Sequence, residues 1–155
     1  MKKITLAPPL RFFSDEEHAT IPKAIDQFPY FLYELKGNKT PWLERGHGLE
    51  EVMNAWVRTT TVLEEKHCRR QKDVQEEMNT LLALFFMALF WTNGQPAAPA
   101  LWEQKEKDLE VKPINFHERF QFITARPYTY AAFRQLMELM NEQRKAAAVH
   151  AIRKR

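Results

Sequence analysis

The feature that most constrains this chain is an uninterrupted apolar run, LLALFFMALFW, at residues 81–91. A helix rises about 1.5 Å per residue, so these eleven residues span roughly 16 Å, about half of a ~30 Å hydrocarbon core. Charged residues precede the run and Asn93-Gly94 follows it, so the flanks do not lengthen it. The run is therefore too short to cross a bilayer, and we expect it to be buried inside the protein.

The composition of this run favours a helix. Leu, Met, Ala and Phe suit a helix better than a buried strand, in which Val, Ile and Thr are typical. A helix that is apolar on every face needs neighbours on every side. We therefore predict a central helix over about 73–93, buried in an all-α bundle of five or six helices. Gly94 stands where a left-handed C-terminal cap belongs, and Pro96 bars continuation of the helix.

Helices are also predicted on both sides of the central run. Apolar residues recur at three- and four-residue steps over about 48–70, which predicts an amphipathic helix. Prolines divide the preceding third of the chain, where a shorter helix is predicted over about 23–36. After the run, Pro99 can open a short helix that carries Leu101 and Trp102.

Two more helices are predicted in the last third of the chain. Asn115 and Glu118 have the spacing of a capping box, so a helix is expected to begin there. Its apolar stripe consists of Phe116, Phe120 and Ile123. A last helix, running to about residue 153, has an inner face marked by Phe133, Leu136, Met137 and Met140.

The length and composition describe one domain, because 155 residues with 45% apolar and 28% charged residues are typical of a globular protein. We predict a single all-α domain over residues 1–155, with a Pro-rich irregular segment at about 1–22 and a basic helical end at about 144–155. Cys68 is the one cysteine, which is typical of a reducing cytoplasm. The basic start breaks at Pro8-Pro9 before any apolar segment of signal-peptide length, which also favours a cytoplasmic location.

The net charge of +3 is unevenly distributed. The last twelve residues, RKAAAVHAIRKR, carry five Lys/Arg and no acid, which leaves 18 basic against 20 acidic residues in the rest of the chain. Two interpretations stay open: cations that contact nucleic-acid phosphates, or a solvated helix end whose charge complements the helix dipole. The candidate phosphate contacts are Arg144, Lys145, Arg153, Lys154 and Arg155.

Metal and nucleophile chemistry have little support in the sequence. His67 and Cys68 are adjacent, so on a helix they point about 100° apart and cannot easily share an ion. No pair of histidines has the i,i+4 spacing of a helical zinc site, and glycine-rich phosphate loops and serine-hydrolase elbows are absent. We predict no metal and no cofactor, with His67 as a core or boundary histidine and Cys68 as a partly buried structural thiol.

The polar stretch after the central run has two interpretations. In the functional one, six residues line a polar pocket for a ligand or a partner peptide: Trp91, Asn93, Trp102, Arg119, Arg126 and Tyr128. In the structural one, Asn93-Gly94 caps the helix and Arg119 ties that cap in place. Arg119 stands at the margin of an apolar stripe, so its guanidinium must reach solvent or find a carboxylate or a carbonyl.

Three pieces of the chain resemble one known family. LFFMALFWTNGQP, KPINFHERFQFI and the Tyr/Phe-rich start of the last helix, within roughly residues 40–142, are similar to the YpoC family of small uncharacterised proteins from Bacillus-type bacteria. The resemblance implies a cytosolic, mostly helical protein. Genes of that family tend to lie beside those for the replication-initiation protein DnaD and endonuclease III, which implies a link to DNA metabolism by association and gives no residue a role.

Three functions follow as hypotheses. The first is a non-enzymatic adaptor or accessory protein of the bacterial cytoplasm, linked to DNA replication or repair, which contacts nucleic acid through its basic end. The second is a small-molecule-binding protein or enzyme with a polar pocket near Trp91–Pro96. The third is a homodimer or a subunit of a protein complex, anchored by exposed aromatic residues such as Trp42 or Trp102.

Overall fold

The computed structural model describes residues 47–95 and 102–153, with side chains described from Val52 onward. Within these ranges every regular element is a helix, which confirms the predicted all-α class. The elements are α1 (His47–Cys68), α2 (Gln75–Thr92), α3 (Trp102–Lys105), a 3₁₀ helix (Glu106–Asp108), α4 (Phe116–Ala125) and α5 (Tyr130–Arg153). The predicted helix at 23–36, the segment 1–22, and Trp42, Pro96, Pro99, Leu101, Lys154 and Arg155 lie outside the described residues.

Helix α2 is the predicted central helix. Twelve of its eighteen residues are buried, and the run Leu84–Trp91 is buried at every position. It packs against α1 on one side and α5 on another, which is how a helix that is apolar all round is removed from water. It begins at Gln75 rather than at 73, because Val74 is the N-cap residue. Over the described ranges, each helix is too short or too polar to span a membrane.

The C-terminus of α2 ends as the sequence predicts. Gly94 adopts a left-handed conformation with φ +70°. Its N–H donates to the Trp91 carbonyl at 3.0 Å, and the N–H of Gln95 donates to the Phe90 carbonyl at 3.0 Å. This pair of bonds is a Schellman motif, which satisfies carbonyls that the last helical turn leaves open.

Helix α1 ends with the same motif but without a glycine. Arg70 has φ +56°, its N–H donates to His67, and the N–H of Gln71 donates to Lys66 at 2.9 Å. The turn into α2 is fixed by the Lys66 ammonium, which binds the Glu77 carboxylate at 2.8 Å and the Asp73 carbonyl at 3.0 Å. The hydrogen bond to Glu77 is the main cause that raises the pKa of Lys66, and the Asp73 carboxylate adds to it.

The capping box predicted for α4 is wrong. Asn115 is the N-cap residue, but it has φ +54° and its side chain makes no capping hydrogen bond. A side-chain cap needs an extended N-cap backbone that turns the side-chain oxygen over the first turn, and a left-handed residue does not place it there. The stripe that follows is confirmed, because Phe116, Phe120 and Ile123 are all buried.

Helix α5 closes the bundle against α2 and α4. It begins with a side-chain cap, since the Thr129 hydroxyl accepts a hydrogen bond from the N–H of Ala132 at 3.1 Å. Its predicted inner face is confirmed, with Phe133, Leu136 and Met140 buried and Met137 half-buried against the core. The helix continues without a break to Arg153, as predicted.

Candidate functional site

The end of α2 is joined to α5 through one backbone segment. The Asn93 amide donates to the Val111 carbonyl at 2.8 Å, and its oxygen accepts from the Val111 N–H at 2.8 Å. The same amide also donates to the Leu89 carbonyl at 2.8 Å. Asn93 therefore pairs both backbone groups of Val111, and both the nitrogen and the oxygen of its side-chain amide have protein partners.

Gln143 approaches the same carbonyl from α5. Its side chain is fully buried, and its Nε2 donates to the Val111 carbonyl at 3.1 Å. Its Oε1 has no hydrogen-bond partner among the described residues. An unpaired buried carbonyl costs about 1–3 kcal/mol relative to a paired one. Asn93, Val111 and Gln143 form a polar joint that connects the end of α2 to α5. The unpaired Oε1 of Gln143 lowers the stability of this joint.

Arg119 forms a clamp between α4 and α5. Its guanidinium binds both oxygens of Glu142, at 2.9 and 2.5 Å, and donates to the Ile114 carbonyl at 2.9 Å. With its amide turned to satisfy both groups, Gln135 accepts from Arg119 Nε at 2.7 Å. The hydrogen bond between Arg119 and Glu142 raises the pKa of the arginine and lowers the pKa of the carboxyl.

These contacts resolve the structural interpretation of Arg119. The guanidinium finds both a carboxylate and a carbonyl, as the apolar margin of its helix requires. However, Arg119 does not tie the Asn93-Gly94 cap in place, because its partners lie on α5 and in the turn before α4. Val111 holds the cap instead.

The two tryptophans of the predicted pocket are core side chains. Trp91 is 3% exposed and Trp102 is 6% exposed. The indole of Trp102 lies 4.9 Å from the Phe120 ring and 5.7 Å from the Phe116 ring, centroid to centroid, in edge-to-face contact. The hypothesis that Trp102 is an exposed anchor is therefore wrong, because its indole buries its area against the aromatic cluster of α4.

A charged cluster borders this aromatic cluster. The carboxylate of Glu106 accepts from Lys112 Nζ at 2.6 Å and lies 3.2 Å from His117 Nδ1. The Lys112 hydrogen bond is the main cause that lowers the pKa of Glu106. The His117 ring in turn lies 5.3 Å from the indole of Trp102. The cluster fastens the 3₁₀ helix to α4.

The two remaining pocket residues flank the turn into α5. Arg126 is exposed, and its carbonyl accepts from the Thr129 hydroxyl at 2.9 Å. The Tyr128 hydroxyl donates to Asn79 Oδ1 at 2.9 Å, which links this turn to α2. The polar groups of Asn93, Arg119 and Tyr128 thus have partners outside the set of six, and the pocket stays a prediction.

His67 and Cys68 take different environments although they are neighbours. The His67 ring is half-buried, 5.3 Å from the Tyr130 ring and 5.4 Å from the Phe133 ring, and burial lowers its pKa. Cys68 is exposed, so the prediction of a partly buried thiol is wrong. One residue further turns the side chain about 100° around α1, away from the rings of Tyr130 and Phe133 and towards solvent. In residues 47–95 and 102–153, no group of three His, Cys, Asp or Glu side chains could hold a metal ion.

The last ten residues of α5 differ from the rest of that helix. No side chain is buried over residues 144–153, and Arg144, Lys145 and Arg153 are exposed there. Val149 is 47% exposed and Ile152 is 67% exposed. With about 100° per residue, four residues lie within an arc of about 100°, on the side of α5 opposite Leu136 and Gln143. This outer stripe consists of Lys145, Ala148, Val149 and Ile152.

The sequence profile of the YpoC-like protein family matches residues 46–155. The chain belongs to the YpoC-like family. The uncharacterized protein YpoC of Bacillus subtilis (strain 168) is 30% identical over 141 residues, which cover 88% of this chain and 85% of that protein. No solved structure shows a significant match to the chain.

The part of the chain that matches the YpoC-like family contains both the polar joint and the outer stripe. Sequence reasoning missed several of these residues. Gln143 follows Met140 at a three-residue step, so its place on the apolar face of α5 could have been read from the periodicity. Val149 and Ile152 have the same spacing on the other face. Val111 and Glu142 carry no comparable signal, because their roles depend on contacts over eighteen and 23 residues.

Proposed function

We propose that this YpoC-like protein is a non-enzymatic adaptor or accessory protein of the bacterial cytoplasm, and that the outer stripe of α5 is its contact surface. The observation that carries the proposal is the change of face along α5. From Ala132 to Gln143 the helix turns its apolar face into the bundle, and beyond Gln143 it exposes Val149 and Ile152 on the opposite side.

A helix end of this kind has the properties of a binding element. Apolar residues at i and i+3 are the anchors by which an amphipathic helix enters a groove of a partner. Arg144, Lys145 and Arg153 surround the anchors, so the stripe favours a partner surface that carries carboxylates. Because α5 is rooted in the core, the helix is formed before binding, which lowers the entropic cost of association.

A link to DNA replication or repair belongs to the same proposal. Arg144 and Arg153 are nine residues apart, which places them about half a turn apart around α5. These cations surround the helix instead of following one phosphate strand. A contact with DNA therefore rests on sequence-independent attraction, which falls steeply with salt.

The proposal is tested by affinity capture from a bacterial lysate, with and without nuclease. The baits are the intact chain, the double variant Val149→Asp/Ile152→Asp, and Val57→Asp as a matched control. Val57 is 58% exposed on α1, so it reports the effect of an acid placed on any exposed apolar residue. We expect captured proteins to be lost with the double variant alone. Equal capture by all three baits contradicts the proposal, and capture that nuclease removes identifies nucleic acid as the bridge.

A further inference from the structure

A groove lies between α1 and α5, away from the outer stripe. It has a volume of about 590 Å³, and its lining is mainly apolar surface with charged groups at the border. Met137 of α5 and the exposed Cys68 of α1 provide apolar surface, and Glu64 and Glu65 provide carboxylates. The remaining lining residues of this α1–α5 groove are Thr60, Thr61 and Arg69.

We infer that the α1–α5 groove binds the end of α5 from a second copy of this chain, so that copies associate head to tail. The inference rests on the proposed function, since it names the partner that the outer stripe takes. Three properties of the described surface support it: the length of the groove, its charge, and the distance between the groove and the outer stripe within one chain.

The groove is long enough for the outer stripe. It follows α1 from Thr60 to Arg69, which is about 13.5 Å of helix. The outer stripe follows α5 from Lys145 to Ile152, which is about 10.5 Å. Val149 and Ile152 can therefore both lie against the apolar floor of the groove while Lys145 stays at its border.

The charges of the two surfaces are complementary. Residues 144–155 contain five Lys/Arg and no acid. The groove offers Glu64, which accepts one hydrogen bond from Tyr130 at 3.3 Å, and Glu65, which is 61% exposed and pairs with Arg69 at 2.8 Å. Exposed carboxylates with a single partner keep oxygens open to a further cation. Lys145 of the incoming helix then faces Glu64.

An α5 end that enters the groove must come from another copy. Met137 in the groove and Val149 in the stripe belong to one unbroken helix, and their separation along α5 is about 18 Å. The stripe cannot turn back to the groove of its own chain without breaking the helix. Because the groove and the stripe are different surfaces, the contact is heterologous and produces rings or open chains of copies. The contact is small, so we expect association to depend on concentration and to weaken with salt.

Charge reversal tests the pairing. Sedimentation velocity on nuclease-treated protein at rising concentration is expected to show association of the intact chain at low salt. Lys145→Glu and Glu64→Lys are each expected to sediment as monomers at the same concentrations, and an equimolar mixture of the two is expected to associate again. A monomeric intact chain at every concentration overturns the inference, and so does a mixture that stays monomeric when the intact chain associates.

Disulfide mapping tests the geometry. Cys68 is the one cysteine of the chain, so Ile152→Cys adds a single partner for it. Under mild oxidation we expect a disulfide between Cys68 of one copy and the thiol introduced at position 152 of another. Mass spectrometry identifies this bond, which is expected at a level several-fold above the cross-linking of Phe122→Cys. Phe122 is 55% exposed on α4 and lies on neither surface. Equal cross-linking of the two variants overturns the inference. If protein capture still depends on Val149 and Ile152, the proposed function stands without it.

Discussion

Helix α2 and the end of α5 show two opposite uses of apolar residues in one bundle. In α2 the apolar side chains occupy every face, and the run Leu84–Trp91 is buried at every position. In the end of α5 the apolar side chains of Val149 and Ile152 face solvent, and no side chain over residues 144–153 is buried. The comparison separates residues that stabilise the fold from residues that remain free to contact a partner.

The difference has a physical origin in how each helix is covered. Each large apolar side chain of α2 gains about 1.5–3 kcal/mol when it leaves water, so the bundle closes around that helix. Along α5 the core face ends at Gln143, beyond which Ala146, Ala147 and His150 on the same face are only half-buried. We therefore expect substitutions in α2 to change the free energy of unfolding far more than substitutions in the end of α5.

The largest loss of stability is expected where α2 packs against the aromatic cluster of α4. Phe85 is fully buried, with ring centroids 5.9 Å from those of both Phe116 and Phe120. Phe85→Ala removes these contacts and leaves a cavity, so we expect the free energy of unfolding to fall by about 3–5 kcal/mol. Urea unfolding followed by circular dichroism measures it. Phe122→Ala, on the exposed face of α4, is the control, with a change within about 0.5 kcal/mol. Equal losses for the two variants contradict the assignment of the core.

A smaller effect is expected at the polar joint. Asn93→Ala removes three hydrogen bonds and leaves the N–H of Val111 without its partner, so we expect a loss of about 2–3 kcal/mol. Gln143→Met removes one bond to a carbonyl that Asn93 still pairs, and it also removes the unpaired Oε1. We expect that variant to stay within about 1 kcal/mol of the parent. The joint is misassigned if the order of the two losses is reversed in chemical denaturation.

The Arg119–Glu142 clamp between α4 and α5 is expected to add about 0.5–1 kcal/mol to the free energy of unfolding, in a pH-dependent way. The contribution is small because Glu142 is 39% exposed and solvent screens the pair. Arg119 lowers the pKa of Glu142 below 4.5, so the folded state binds fewer protons than the unfolded one. The stabilisation is present above pH 4.5 and is lost as the pH falls through the folded pKa. We expect Glu142→Gln to lower stability at pH 7 and to match the parent once the pH lies below the folded pKa of Glu142.

Unfolding of this variant at several pH values provides the measurement. Glu118→Gln on the exposed face of α4 is the control, because Glu118 has no clamp partner among residues 47–95 and 102–153. A deficit of Glu142→Gln that stays constant down to acid pH contradicts the role of the Arg119–Glu142 pair, because protonation removes the interaction in the parent as well.

The fold could be predicted largely from local patterns, and the site could not. The length of the apolar run and the position of Gly94 determine α2 and its end, and the stripes of α4 and α5 determine their inner faces, because burial follows periodicity. The capping box predicted at Asn115 was wrong because Asn115 lies in the turn after Pro113 and has a left-handed backbone there. The prediction that Cys68 is partly buried was wrong for a related reason, since no local pattern indicates which side of α1 the neighbouring helices leave exposed.

The contacts of the candidate site depend on tertiary structure. The position of Arg119 at the margin of the α4 stripe predicts that it binds a carboxylate or a carbonyl. The sequence pattern does not indicate that the carboxylate is that of Glu142, 23 residues away. The same holds for the hydrogen bonds between Asn93 and Val111, which are eighteen residues apart. The outer stripe is the exception, because the spacing of Val149 and Ile152 opposite the Leu136–Met140 face is already visible in the sequence.

The most direct test of the account is the stability of a chain that ends at Ala147, compared with the intact chain by urea unfolding at low micromolar concentration. If the end of α5 serves contact rather than folding, the free energy of unfolding changes by no more than about 0.5 kcal/mol and the m-value falls only slightly. The shortened chain also loses association. A loss of about 2 kcal/mol or more contradicts the account, because residues 148–155 then belong to the folding unit.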